Sequence, residues 1–148
     1  GTIYVNGSNY LFTTVSQDFL STSNALLGSS SPISYCVATS PGQYPDTVSI
    51  GQAQPVVTYD CYSDKTITTK TGTGKVSFIV GTGNSPTTAI FSILIYFYDM
   101  TGQQTQYTQY NYLVDTSGGI SFQSLSFTGF LISSNGASNN VQLSFKSQ

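Results

Sequence analysis

Chemistry in this 148-residue chain has to be sought among few reactive groups, because Glu, Arg, His and Trp are absent. Six aspartates and four lysines carry all the formal side-chain charge. A Ser-His-Asp or Cys-His nucleophile needs an imidazole, and the common zinc sites need His or several Cys. A glycosidase pair would have to be built from aspartates alone. The acids cluster only at Asp60 and Asp64, beside Lys65, which reads as a solvated turn with local ion pairing. Calcium binding there is the weaker alternative, since no EF-hand spacing is present. An internal Lys–Asn bond usually employs a nearby Glu, and none exists. The expectation is a protein that is not an enzyme and holds no metal or cofactor.

Three other patterns carry chemistry. Cys36 and Cys61 form an even pair in a chain of secreted character, so a disulfide is the economical reading. Closing that loop stabilises the fold by roughly 3–4 kcal/mol through chain entropy. Asn6-Gly7-Ser8 is the N-glycosylation acceptor pattern, which makes a glycan at Asn6 the one covalent addition to expect. Tyr96, Tyr98, Tyr107, Tyr110 and Tyr112 are a candidate sugar-stacking platform, although aromatic stripes at strand spacing more often pack across strands.

Composition fixes the setting. Only 7% of residues are charged, against about 25% in ordinary domains. In their place stand 23 Ser, 20 Thr, 11 Gln and 8 Asn. Such a surface suits an extracellular protein exposed to acid or proteases, and little change in stability is expected between about pH 3 and 7. A net charge of −2 offers no basic patch for nucleic acid. Nine Phe and eleven Tyr argue against disorder. No apolar run approaches 18 residues, so no helix spans a membrane. The chain starts on Gly1 rather than Met, and the expectation is that a signal segment has been removed.

Helical periodicity is absent and alternation by twos recurs, broken by Gly, Pro, Asn, Asp and Ser. Strands are predicted over 10–15, 33–39, 47–50, 56–63, 88–99, 105–114 and 141–146, with an alternating strand around 76–80. Residues 21–31 read as a loop with one helical turn, and 66–73 as an exposed edge strand. Val57, Tyr59 and Cys61 share one face, which turns Cys61 toward a core where it can meet Cys36. Residues 88–99 are apolar on both faces, as in a central strand covered on both sides. Residues 120–132 change parity twice, which predicts bulges at Ser124 and Gly129 or two shorter strands. The fold class is all-β: an antiparallel β-sandwich, immunoglobulin-like or pilin-like, with a jelly roll as the alternative.

The opening stretch, Thr2 to Phe12, has two possible fates. It can form a hairpin, residues 2–5 against 10–13 across Asn6-Gly7-Ser8-Asn9. Or it can stay extended, with Ile3, Val5, Gly7, Asn9 and Leu11 on one face. That face is apolar except for Asn9 and suits insertion into a groove, with Asn6 left in solvent.

Thr2-Ile3-Tyr4-Val5-Asn6-Gly7-Ser8 resembles the Val-Asn-Gly-containing N-terminal donor strand of type 1 fimbrial pilins. Two cysteines in the first half and a final alternating strand near the C-terminus are further features of that family. The lack of Arg, Glu and His departs from bacterial pilins and is similar to filaments of thermoacidophilic archaea, of the thread-pilus kind. The resemblance implies a donor strand over residues 1–10 and a β-sandwich pilin domain over 11–148. Ile3, Val5, Gly7 and Leu11 would insert into a neighbouring subunit, giving an extracellular homopolymer that contacts other cells or surfaces. A secreted sugar-binding or adhesin domain, and a viral capsid β-sandwich, are the alternatives.

Overall fold

A computed structural model of the chain describes residues 2–5, 8–11, 17–31, 34–132 and 138–147. They form eleven strands and no helix. In chain order these are β1 (Thr2–Val5), β2 (Ser8–Leu11), β3 (Gln17–Leu20), β4 (Leu26–Ser31), β5 (Ser34–Gly42) and β6 (Ala53–Tyr62). There follow β7 (Lys70–Thr82), β8 (Thr88–Asp99), β9 (Gln104–Asp115), β10 (Ile120–Ile132) and β11 (Ser138–Lys146).

The all-β, antiparallel class expected from the alternation is what the chain adopts. Strands β3 to β11 make one nine-stranded sheet whose spatial order is the sequence order, with none of the crossings of a Greek key. A flat sheet spaces its strands by roughly 4.8 Å, which would hold β3 far from β9. Yet Asp18 of β3 and Tyr110 of β9 line the same groove. The sheet therefore curls over its own inner face, as large twisted sheets do.

Alternation builds that inner face. Cys36, Val57, Tyr59, Cys61 and Val76 pack with Leu26 as one buried cluster. Beside it Phe78 is fully buried, stacked on Phe91 at 5.2 Å and tilted against Tyr44 at 6.3 Å. Cys36 and Cys61 face each other across β5 and β6 and form the predicted disulfide. Gly74 lies where the rings of Phe97 and Tyr59 close in to 3.1–3.3 Å of any added Cβ, so a larger residue would displace an aromatic.

Several expectations are corrected. Residues 26–31 are strand β4, not loop: Leu26 is buried, and Gly28 admits the Cys36 carbonyl to within 2.5 Å of where a Cβ would stand. Residues 47–50 are not a strand; Val48 and Ile50 stand exposed on a loop held by hydrogen bonds at Gln52 and Val80. The edge strand over 66–73 is instead a turn followed by β7, an interior strand. Strand β10 is continuous with one register shift, between Phe122 and Ser124, and runs straight through Gly129. Strand β8 is an interior strand but is half-buried along nearly its whole length, Ser92 alone being buried, rather than covered on both sides.

At the N-terminus β1 and β2 pair with each other as a separate two-stranded sheet, Thr2 opposite Leu11 and Val5 opposite Ser8. Of the two fates the single chain takes the hairpin, with its second strand two residues earlier than expected. Asn6, Gly7 and residues 12–16 lie outside the described residues.

Candidate functional site

The inner face is tightly packed at the disulfide and more exposed toward β10 and β11. Where β3 and β4 lie over β8 and β9, a groove of about 490 Å³ remains, with Leu26, Cys36, Val76, Ile93 and Ile95 at its floor and Asp18 at its rim. The registers carry the same face onward: Phe91 opposes Tyr112, Tyr112 opposes Phe122, Tyr110 opposes Leu125, and Leu125 opposes Phe145. Among the described residues no strand lies over these last positions. Phe122 and Phe145 are each 42% exposed, and Ile120 is 70% exposed. At the far end a second hollow of about 230 Å³ opens between Ile50, Val80, Phe91 and Val114.

The groove's electrostatics follow from its apolar walls. Asp18 is open to solvent at its strand edge, yet its carboxyl is desolvated enough to titrate above the ordinary carboxylate range. Burial pushes the Tyr44 hydroxyl up to about 12, with Asp18 and then Tyr112 adding repulsion. Tyr59 and Tyr110 are raised by burial first and by neighbouring acidic groups, Asp18 among them, second. Such hydroxyls are neutral donors, unsuited to acting as bases near neutral pH.

The other carboxylates are used in turns. Asp99 Oδ1 accepts from Thr101 N at 2.8 Å, Thr101 Oγ1 at 2.6 Å and Gln103 N at 3.0 Å. Asp115 repeats the pattern with Ser117 N, Ser117 Oγ and Gly119 N at 2.8, 2.6 and 2.9 Å. Gly102 and Gly118 complete these turns at positive φ, 84° in each. Thr66 donates to Asp64 from both its amide and its hydroxyl. These bonds hold all three carboxyls below their usual range. Asp60 pairs with Lys70 at 2.6 Å, across the β6–β7 hairpin, rather than with Lys65. Among the described residues no group of three His, Cys, Asp or Glu is arranged for a metal ion.

The five tyrosines do not form one platform. Tyr96 contacts both Tyr98 and Tyr107, with ring centroids 6.5 and 5.1 Å away, and Tyr98 also borders the groove that Tyr110 and Tyr112 line. From Tyr107 runs a neutral polar ladder. Tyr107 OH donates to Gln109 Oε1 at 2.5 Å, and Gln109 Nε2 to Asn111 Oδ1 at 2.8 Å. Ser92 Oγ donates to Asn111 Oδ1 at 2.6 Å, and Asn111 Nδ2 to Ser124 Oγ at 2.9 Å.

Of the residues predicted to insert, Ile3 and Val5 fall in β1 and Leu11 in β2. Gly7 and the sequon Asn6 lie outside the described residues. The disulfide is the predicted site feature that the structure brings together. Asp18 and Tyr44 were not foreseen, since β3 is four residues long and Tyr44 sits on a loop between Gly and Pro. No family model, curated protein or solved structure matches the chain.

Proposed function

We propose that the protein is the structural subunit of an extracellular surface filament, a pilus. It polymerises head to tail by lending residues 1–10 to the groove of the next subunit's domain, residues 11–148. The observation that carries this reading is the partly exposed inner face of β10 and β11, Phe122 and Phe145 above all, in a chain that also holds a β-segment bonded to no strand of the main sheet. A two-stranded hairpin is marginal in water, so β1 and β2 are opened at little cost. An added strand would cover Phe122 and Phe145 and complete a second layer, giving the sandwich that the single chain only half builds. The disulfide fits an oxidising, extracellular setting, and among the described residues no helix is long and apolar enough to cross a membrane.

In this reading Ile3, Val5, Gly7 and Leu11 face the acceptor and Asn6 stays outside, open to a glycan. Such filaments support adhesion or cell–cell contact. The test is a chain lacking residues 1–9. It should remain monomeric and keep the cooperative melting of the main sheet, and fibres of normal repeat from it would sink the proposal.

A second reading is favoured by the cluster of Tyr96, Tyr98 and Tyr107 beside the Gln109 amide. Rings next to amide donors suit a neutral sugar, and the face would then serve adhesion. Glycan-array binding that is lost in Tyr96→Ala and kept in Tyr112→Ala would support it.

A further inference from the structure

Resting on that filament reading, we infer that the entering segment of a second copy adds to the free edge of β3, with its Asn9 amide donating to the Asp18 carboxylate and so fixing the register. The nine-stranded sheet has two free edges among the described residues, β3 and β11. They are not equivalent. Strand β3 lies across the groove from β9, because Asp18 lines it together with Thr108, Tyr110 and Tyr112. One further strand beyond β3 therefore lies across from β10, where Phe122 is 42% exposed and Leu125 and Phe127 are half-buried. A strand added beyond β11 would widen the lower layer and cover none of these.

Chemistry selects the same edge. The segment carries no charged side chain between Thr2 and Leu11, and counted by twos as one extended strand it sets Ile3, Val5, Gly7, Asn9 and Leu11 on one face. Asn9 is the one polar side chain on that face, and burying it without a partner would be costly. The groove offers two carboxylates. Asp99 already accepts three hydrogen bonds in its own turn. Asp18 accepts none from the described residues, and its neighbours across the groove are the neutral tyrosines Tyr44, Tyr59 and Tyr110. Asp18 also points inward: it opposes Ser29, which opposes the buried Cys36. At the other edge Lys146 opposes Ser124, on the outer face with Asn111, so β11 presents no charged partner to an inward Asn. Side chains directly opposite on one face of a strand pair lie about 5 Å apart, within reach of an amide–carboxylate bond.

The test is a double-mutant cycle on the critical concentration for polymerisation of the full chain, with monomer melting temperature as the control for folding. Asn9→Val and Asp18→Val should each raise the critical concentration about 10-fold or more, since each leaves one buried polar group unpaired. The double variant, with two apolar groups face to face, should return to within about 3-fold of the parent. Amide exchange in the polymer should show new protection at Gln17 to Leu20. Multiplying single effects, or new protection at Ser138 to Lys146 instead, would overturn the edge and register while leaving strand donation intact. Polymer formed by a chain lacking residues 1–11 would overturn the filament reading and this inference with it.

Discussion

On the disulfide side, β4 to β7 turn Leu26, Cys36, Val57, Tyr59, Cys61 and Val76 to an interior that leaves each at most 9% exposed. On the far side, β10 and β11 turn Phe122 and Phe145 to the same face of the same sheet and leave each 42% exposed. Both regions obey period-two alternation, and both are bonded to their neighbours by antiparallel ladders, with register shifts in β6–β7 and β9–β10. The difference lies in what stands opposite. Curling brings β3 and β4 over β8 and β9, and among the described residues β3, four residues long, is the last strand at that edge of the sheet. A strand's pattern chooses its buried face, but topology decides whether anything arrives to bury it.

The comparison can be broken most severely from the closed side. Phe78→Ala should cost about 3–5 kcal/mol, because a fully buried ring stacked on Phe91 leaves a cavity that two flanking aromatics cannot fill. Chemical denaturation of the monomer measures it. Next, the Cys36→Ser, Cys61→Ser double variant should lose roughly 3–4 kcal/mol, the chain-entropy value for a separation of 25 residues. A loss below about 1 kcal/mol would mean that the closed side does not depend on its staple.

On the open side Phe122→Ala should cost the monomer only about 1 kcal/mol, since much of the ring is already in water. The same substitution should weaken polymerisation strongly, which sharpens the contrast: one residue silent in the monomer and decisive in the assembly. Equal, large effects on both would show that the face is already covered in the single chain.

Acid gives the smallest effect and separates the turns from the groove. Asp64, Asp99 and Asp115 are held below their unfolded values, so the stability they contribute is present above about pH 4 and is lost as pH falls through their folded values. Asp18 is raised, so its contribution runs the other way: the fold gains as pH drops through that group's range. Melting temperature should be nearly flat from pH 7 to about 4.5 and decline below about 4, which shortens at its acid end the plateau that composition alone leads one to expect. The Asp99→Asn, Asp115→Asn variant should flatten that acid limb, and an unchanged limb would mean that the turns do not carry it.

Much of this architecture is legible in the sequence. Val57, Tyr59 and Cys61 announce their shared face, Met100 to Gln103 announces its hairpin, and the cysteine pair announces its bond. The pieces that escaped have physical causes. Strand β4 hides because after Leu26 and Leu27 its residues are Gly and Ser, with Gly28 suited to close approach to β5 rather than to apolar area. The parity of Ile120 to Ile132 predicts bulges at Ser124 and Gly129 or two shorter strands, but β10 is one strand that β11 follows through Gly129 without a shift, and the described pairings show a single shift, between Phe122 and Ser124. Asp18 is a lone acid in a short segment, and only the curl of the sheet reveals that it meets tyrosines from three distant elements. The tyrosine repeat is similarly deceptive: consecutive odd and even positions send Tyr107 outward and Tyr110 inward.

The central claim is that the segment before β3 completes a neighbour's open side. Electron micrographs of the full chain and of a chain lacking residues 1–11, prepared at equal concentration, test it most directly. The account predicts long, uniform filaments from the first and dispersed monomers from the second. Filaments of the same repeat from both, or from neither, would contradict it.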